Sequence, residues 1–180
     1  MKIAITGNTS GIGKALANVY STEHTVIGFS RYTGYDISKE TDRKKIIAES
    51  ADCDVFINNA YHDFSQCDLL FDLWQQWKDQ KKQIVNISSS ITMRWQNDFR
   101  LLKYRSAKIA LEESSDFLWN KSSWPAIVCI SPTMTDTPKT TYYTGINKVN
   151  VDEFAKLVYN TIHQPNFRIQ KLSLAVNPLN

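Results

Sequence analysis

The chain has 180 residues, 42% of them hydrophobic and 22% charged. The apolar content is enough for one compact core, and the length is too small for a second full domain. Lys and Arg number 21 against 18 Asp and Glu and are spread along the chain, which argues against a nucleic-acid-binding surface. We therefore expect a single domain over residues 1–180. No run of about 18 apolar residues is present, so we expect no membrane-spanning helix.

The N-terminus and the cysteines suggest a cellular compartment. The first residues, MKIAIT, enter a strand pattern directly, so we expect no signal peptide. The three cysteines, Cys53, Cys67 and Cys129, have neither metal-ligand nor CxxC spacing, which favours reduced, buried thiols. These features predict a cytoplasmic protein without a metal site.

Short apolar runs alternate along the chain with segments of helical periodicity. The predicted strands cover residues 2–6, 25–30, 54–58, 84–88, 126–130 and 171–176, and the predicted helices cover residues 12–20, 38–50, 69–77, 107–119 and 151–163. Strands that are apolar on both faces and alternate with helices indicate a parallel sheet covered on both sides. The pattern predicts a doubly wound α/β fold.

A glycine-rich turn, TGNTSGIG at residues 6–13, joins the first predicted strand to the first predicted helix. Gly7, Gly11 and Gly13 would let the backbone approach a diphosphate closely, and the N-terminus of the helix would favour its negative charge. A glycine-rich turn without a ligand is also common, so the motif alone does not decide the function.

Further motifs follow this turn in order, and together they resemble the short-chain dehydrogenase/reductase family over nearly the whole chain. The matching segments are TGxxxGIG at 6–13, an acidic-aliphatic pair at Asp36-Ile37, Asn58-Asn59-Ala60 against Asn-Asn-Ala-Gly, VNISS at 85–89, YxxxK at Tyr104 and Lys108, and SPTMTDT at 131–137 against SPGxxxT. The resemblance implies one Rossmann-like NAD(P)-binding domain and an unusually short member of the family.

The resemblance also implies a set of cofactor-binding residues. They are Gly7, Thr9, Ser10, Gly11, Ile12, Gly13, Ser30, Arg31, Asp36, Ile37, Asn59, Ala60, Tyr104, Lys108, Pro132, Thr133, Met134 and Thr137. The Ser30-Arg31 pair ends the second strand, where Arg would pair with a ribose 2′-phosphate and Ser would hydrogen-bond it. We therefore expect NADP(H) to be preferred over NAD(H), although Arg31 could also be an ordinary surface cation.

The implied catalytic residues are Ser89, Tyr104 and Lys108. YxxxK spacing places the phenol and the ammonium on one helix face, and the charges of Lys108 and of the oxidised nicotinamide would lower the pKa of Tyr104. Tyr35 and Lys39 repeat the spacing at a position that does not follow the serine-bearing strand. Ser90 is a lesser alternative to Ser89. The implied reaction moves a hydride between nicotinamide and a small carbonyl or alcohol substrate.

The chain also departs from the family pattern. Tyr61 and Thr133 stand at usual glycine positions, and a positive φ there would strain these residues. No Asn lies between Ala60 and Gln83 to supply the assisting Asn of the family, which leaves water, Asp68 or main chain in its place. Residues 133–150 fall where the family has its substrate loop, so we expect a small lid over a shallow, open pocket.

Three features remain open from sequence. His62 is favoured as a surface residue over an acid or base. Trp74 and Trp77 are favoured as core or subunit-interface residues. Because the corresponding helix packs between subunits in many family members, we expect a homodimer or homotetramer. The alternative function is a non-catalytic NADP(H)-binding regulatory or sensor protein with the same fold.

Overall fold

The structure is a computed structural model that describes residues 1–93, 98–164 and 166–175. The six strands are β1 (Lys2–Thr6), β2 (Thr25–Phe29), β3 (Val55–Asn58), β4 (Gln83–Ile87), β5 (Ala126–Ser131) and β6 (Lys171–Ser173). The five α-helices are α1 (Gly11–Tyr20), α2 (Glu40–Glu49), α3 (Ser65–Trp77), α4 (Leu102–Lys121) and α5 (Val151–Ile162). All strands pair in parallel, in the order β2-β1-β3-β4-β5-β6.

Side chains that alternate along the strands build a core on each face of the sheet. Ala4, Phe56, Ile84 and Ile127 pack with the helices α2, α3 and α4, whereas their neighbours in sequence pack with α1 and α5. Period-two alternation sends successive side chains to opposite faces, so each strand is buried on both sides. The predicted doubly wound α/β fold is confirmed.

The observed elements differ from the predicted ones mainly at their ends. Helix α4 begins five residues before the predicted residue 107 and therefore includes Tyr104 in its first turn. The last predicted strand extended to residue 176, which lies outside the described residues, and β6 ends at Ser173. Among the described residues, no helix combines the length and apolar character needed to cross a bilayer.

The order of the strands creates a crevice at one edge of the sheet, at the carboxyl ends of β1 and β3. β1 has β2 on one side and β3 on the other, and its last residue, Thr6, is in register with Phe29. Connections after β1 and β3 leave the sheet in opposite directions, which opens a crevice outside their carboxyl ends. The glycine-rich turn follows β1, and Asn59 and Ala60 follow β3, so both motifs lie at this crevice.

Candidate active site

The glycine-rich turn is shaped by close backbone contacts. Gly7 and Gly11 have positive φ angles of 71° and 52°. A Cβ on Gly13 would lie 2.2 Å from the carbonyl oxygen of Gly7 and 2.5 Å from Nδ2 of Asn59. Only glycine therefore lets the first turn of α1 pack against the end of β1. The result is a bare backbone surface beside a helix N-terminus.

The N-terminus of α1 fits an anionic group. The N-cap residue Ser10 makes no side-chain cap hydrogen bond, and the first turn contains no acidic residue. Thr9 and Ser10 are exposed, and Ile12 is half-buried. Helix N–H groups and the helix dipole attract phosphate at such an end. The residues therefore fit the diphosphate of a dinucleotide.

Asn59 and Ala60 brace the turn from β3. The side chain of Asn59 donates to the carbonyl oxygen of Thr6 at 2.9 Å. The backbone N–H groups of Asn59 and Ala60 donate to Oγ1 of Thr6 at 2.9 and 3.0 Å. These bonds couple the ends of β1 and β3, so the two residues hold the shape of the crevice through contacts within the protein.

Arg31 is exposed at the end of β2, on a short 3-10 turn, Arg31–Thr33. Ser30 caps this turn, since its Oγ accepts from the N–H of Thr33 at 3.2 Å and its own N–H donates to Oγ1 of Thr33 at 3.0 Å. Ser30 is also buried. This cap fixes the turn that carries Arg31, and the contact of the Ser30 hydroxyl with a phosphate stays a prediction.

Asp36 and Ile37 follow that turn. Hydrogen bonds from Ser38, and then the charge of Arg31, lower the pKa of the Asp36 carboxyl. The Asp36 carboxylate accepts from the N–H of Ser38 at 3.0 Å, and Ile37 is buried in the core. The Arg31 guanidinium thus lies near this carboxylate, at the far end of the crevice from the catalytic candidates.

The three serines after β4 face different partners. Ser88 is buried and donates to Oε1 of Glu112 at 2.8 Å. Ser90 is also buried, and its N–H donates to the carbonyl oxygen of Pro132 at 2.8 Å. Ser89 is half-buried, and hydrogen bonding by its side chain tends to lower the pKa of the Tyr104 phenol. Of the three serines, Ser89 is the one that the fold brings to the phenol.

Tyr104 lies in the first turn of α4. Burial raises the pKa of its phenol, the hydrogen bond with Ser89 opposes this, and Tyr61 adds to the increase. In the protein alone the pKa is therefore raised, because burial disfavours the ionised phenol. The expected lowering, which relies also on the charge of the oxidised nicotinamide, stays a prediction for the bound state. At neutral pH the phenol carries its proton.

Lys108 lies one helical turn after Tyr104 and is buried. Its Nζ donates to Oε1 of Gln66 at 2.7 Å and to the carbonyl oxygen of Ile87 at 2.8 Å. The same nitrogen is 5.6 Å from the ring centroid of Tyr104. Burial lowers the pKa of Lys108 to about 7. An ammonium has three N–H groups, so one remains for another partner beyond these two oxygens.

Gln66 on α3 is a residue that sequence reasoning missed. Besides accepting from Lys108, its Nε2 donates to the carbonyl oxygen of Asn58 at 2.9 Å. The Asn58 side chain donates back to the Gln66 carbonyl oxygen at 2.9 Å and to Oδ1 of Asn86 at 3.0 Å. Gln66 thus connects the lysine to the ends of two central strands. Asp68, one of the alternatives that the sequence leaves open for this place, is half exposed and pairs with Arg43 at 3.3 Å.

Replacing Gln66 by Leu should test this contact. Hydrogen bonds to charged groups contribute about 1.5–3 kcal/mol, so kcat for the reaction proposed below is expected to fall about tenfold or more. Loss of the Gln66 oxygen also favours the neutral amine of Lys108. The decrease of the rate that accompanies deprotonation of Lys108 should therefore occur at lower pH. Gln75→Leu, at an exposed position of the same helix, is the control. An unchanged pH profile would contradict the role of Gln66.

The 133–150 segment is anchored at its base. Thr135 pairs with Val149 in a parallel bridge, and Oγ1 of Thr140 donates to the carbonyl oxygen of Thr135 at 2.7 Å. Thr137 lies close to the glycine turn, 3.5 Å from the position of a Cβ on Gly11. Pro132 and Thr133 are buried, and Met134 is half-buried. The segment therefore begins beside the crevice, as expected for a loop that covers it.

The predicted strain at Tyr61 and Thr133 is absent. Among the described non-glycine residues, positive φ angles occur at Asp63 (43°) and Asp79 (63°). The chain after β3 thus makes its left-handed turn two residues later than the family pattern implies, at an Asp, which tolerates this conformation better than Tyr.

The structure also places the histidine and the tryptophans that the sequence leaves open. His62 is on the surface, and Trp74 and Trp77 are in the core. Burial raises the pKa of all three cysteine thiols, to about 11 for Cys53 and Cys67 and about 12 for Cys129. No group of metal-ligating side chains is present in the described parts of the chain.

The described surface has two open grooves. One lies between α2 and α3 and includes Arg43, Asp68 and Phe71, and the other is formed within residues 136–150. Neither groove includes Ser89, Tyr104 or Lys108. The chemistry of the side chains, rather than the depth of a cavity, therefore identifies the candidate site.

Solved structures with the same fold include three oxidoreductases. The 3-ketoacyl-(acyl-carrier-protein) reductase from Brucella melitensis, complexed with NADH, has a TM-score of 0.80 at 18% identity over 96% of each chain. The 3-alpha-hydroxysteroid dehydrogenase from Pseudomonas sp. B-0831, complexed with NADH, has a TM-score of 0.79 at 18% identity over 97% of this chain and 95% of that one. A short chain dehydrogenase from Burkholderia cenocepacia J2315 in complex with NADP has a TM-score of 0.80 at 14% identity over 97% and 88%.

Comparisons of sequence gave a different result. No protein-family model matches the chain. No curated protein matches it either. At identities below 20%, the likeness to the solved structures shows a shared fold. A shared fold does not by itself show the function, which depends on the residues of the site.

Proposed function

We propose that the protein is an unusually short member of the short-chain dehydrogenase/reductase family, an NADPH-dependent oxidoreductase acting on a small carbonyl or alcohol compound. The observation that carries the proposal is the placement of Lys108, whose Nζ lies 5.6 Å from the Tyr104 ring, together with the action of the Ser89 side chain on the pKa of the same phenol. These three catalytic candidates lie at the same edge of the sheet as the glycine turn. Solved structures with this fold hold NADH or NADP, which supports a nicotinamide cofactor.

The chain offers a place for each part of such a cofactor. The glycine turn and the N-terminus of α1 would hold the diphosphate, Arg31 a 2′-phosphate, and Asp36 and Ile37 the adenine end. The remaining groups line the other end of the crevice: Asn59, Ala60, Tyr104, Lys108, Pro132, Thr133, Met134 and Thr137. When bound, the nicotinamide ring would supply or accept the hydride.

The side chains divide the remaining work. Tyr104 donates its proton to the carbonyl oxygen of the substrate, and the Ser89 hydroxyl holds that oxygen in place. A phenol with a raised pKa is protonated at neutral pH, so the protein alone is set for the reductive direction. Two N–H groups of Lys108 donate to Gln66 and Ile87, which fixes the position of the ammonium. The third N–H would bind a ribose hydroxyl.

The proposal is tested by mixing the purified protein with NADPH and a panel of aldehydes and ketones. We expect NADPH to bind and its absorbance to fall in the presence of a carbonyl substrate. Binding without turnover of any carbonyl would instead support a non-catalytic NADPH-binding protein. The absence of an Asn between Ala60 and Gln83, where the family has its assisting Asn, is the observation that favours this second candidate.

Cofactor preference is expected to depend on Arg31. Arg31→Ala should weaken NADPH binding about tenfold or more, because a charge-assisted contact with the 2′-phosphate is lost. NADH lacks that phosphate, so its affinity should not change. Lys156→Ala removes the same charge from an exposed position on α5 and is the control. The affinities are measured by fluorescence titration. An equal loss of affinity for NADPH and NADH would contradict a contact between Arg31 and the 2′-phosphate.

A further inference from the structure

Three segments of the chain meet around Tyr104. The segment 60–64 carries Tyr61, whose ring is perpendicular to that of Tyr104 at 4.8 Å and lies 5.4 Å from Nζ of Lys108. An ion pair of 2.6 Å between Asp63 and Lys103 attaches this segment to the start of α4. A hydrogen bond of 3.1 Å from Arg105 to the carbonyl oxygen of Thr92 attaches the segment after β4.

Large apolar side chains are concentrated in these segments and in the 133–150 loop. Together they supply eight of the fourteen large apolar side chains exposed on the described surface: Tyr61, Phe64, Met93, Phe99, Leu102, Tyr142, Tyr143 and Ile146. Phe99 is 84% exposed. Five of the eight side chains are aromatic, so exposed aromatic rings are frequent in the segments next to Tyr104 and in the 133–150 loop.

Most charges near these side chains are paired. Lys103 pairs with Asp63, and Arg100 pairs with Asp98 at 2.9 Å. Tyr143 lies near enough to Arg100 to add to the effect of Asp98 in raising the pKa of the guanidinium. Lys139 acts only weakly on the pKa of Lys108. The surroundings of Tyr104 therefore favour a neutral, apolar ligand.

We propose that Tyr61 is a specificity-determining residue and that the carbonyl substrate is a neutral compound with a flat, unsaturated ring. This inference rests on the proposed function. The exposed part of the Tyr61 ring lies beside the phenol that donates the proton, so a ring attached to the carbonyl group can pack against it. Aromatic rings pack on each other at centroid distances of about 4.5–7 Å.

Matched aldehydes test the inference with NADPH as cofactor. Benzaldehyde and cyclohexanecarboxaldehyde differ in the flatness of the ring, and benzaldehyde and para-carboxybenzaldehyde differ in charge. We expect kcat/KM to be highest for benzaldehyde. Tyr61→Ala should lower that value about tenfold and lower the cyclohexane value less, whereas Tyr61→Phe, which keeps the ring, should stay within about twofold of the parent. Phe117→Ala, at an exposed apolar residue of α4 outside these segments, should change neither value.

The outcomes separate this inference from the proposed function. A higher kcat/KM for para-carboxybenzaldehyde, or equal losses for both uncharged rings in Tyr61→Ala, would overturn the inference and leave the oxidoreductase intact. Tighter NADPH binding with faster turnover of every aldehyde in Tyr61→Ala would show that the ring obstructs the cofactor, and would also overturn it. Absence of turnover for all carbonyl compounds, including those of the wider panel, would refute the proposed function and this inference together.

Discussion

Replacing Tyr104 by Phe is expected to lower kcat for carbonyl reduction by about 10²–10⁴-fold, the usual contribution of a positioned acid or base. The substitution removes one oxygen and leaves a ring that still packs against Tyr61. Affinity for NADPH should change little, because the proton donor is lost while the glycine turn and Arg31 are kept. Steady-state kinetics and NADPH titration of the same preparation measure the two effects separately.

The chain contains its own control for this substitution. Tyr35 and Lys39 have the same YxxxK spacing, but the hydroxyl of Tyr35 donates to the Glu49 carboxylate at 2.7 Å and lies at the other end of the sheet edge. Tyr35→Phe should therefore keep the parent kcat. A rate that persists in Tyr104→Phe would remove the assigned acid and, with it, the mechanism.

The pH dependence of the two directions follows from the raised pKa of Tyr104. Reduction needs the protonated phenol, which persists to higher pH when the pKa is raised, so the alkaline fall of the reduction rate should follow the loss of charge on Lys108, whose pKa is about 7, and not the phenol. Alcohol oxidation needs the tyrosinate, which forms as the pH rises, so its rate should increase toward alkaline pH. Rate profiles in both directions that have the same pH optimum would contradict this assignment.

The fold was predictable because its signals are local. Each buried strand is a short apolar run, and helical segments of matching length separate the runs, so a doubly wound sheet was the consistent arrangement. The glycine turn was also local, since Gly13 has to be small where α1 meets the carbonyl oxygen of Gly7. Errors at helix ends, as at the start of α4, arise because the first turn of a helix carries little periodicity.

The candidate site was only partly predictable, because contacts between distant segments leave no local pattern. Gln66 and Lys108 are 42 residues apart, and neither flanking sequence indicates that they meet. The raised pKa of Tyr104 in the protein alone was not predictable, because spacing reveals a neighbouring lysine but not the burial of the phenol. Tyr61 appeared as a departure from a motif, and only the folded chain shows its ring against Tyr104.

Glu112 was also missed, and it connects the strand ends beneath the site. Its Oε1 accepts from Ser88 at 2.8 Å and Ser131 at 2.7 Å and lies 3.0 Å from the hydroxyl of Thr92, while Oε2 pairs with Lys171 at 2.8 Å. The carboxylate is buried, whereas the lysine side chain is 38% exposed. Glu112 of α4 thus connects the carboxyl ends of β4 and β5 and also contacts β6 through Lys171. Ser89 and Pro132 follow these two strand ends.

Replacing Glu112 by Leu is expected to lower the free energy of unfolding by about 3 kcal/mol, the lower end of the cost of breaking a buried ion pair, because Lys171 still reaches water. Three hydroxyl groups would lose their acceptor. Urea unfolding measures the change, and Glu113→Leu, at the exposed neighbouring position, should cost far less. A loss no larger than that of Glu113→Leu would show that the strand ends are held without the carboxylate.

The charge of Glu112 also predicts how stability depends on pH. Burial tends to raise the pKa of this carboxyl, but hydrogen bonds from Lys171, Ser131, Ser88 and Thr92 outweigh it, and the pKa is lowered. The folded state therefore binds the proton less readily than the unfolded state. The stabilisation is present above the unfolded pKa and is lost as the pH falls through the folded pKa. Glu112→Gln keeps one acceptor oxygen without the charge, so its deficit in unfolding free energy should be full at neutral pH and shrink in acid. A deficit that stays constant from neutral to acidic pH would show that the neutral hydrogen bonds, and not the charge, hold Ser89 and Pro132 in place.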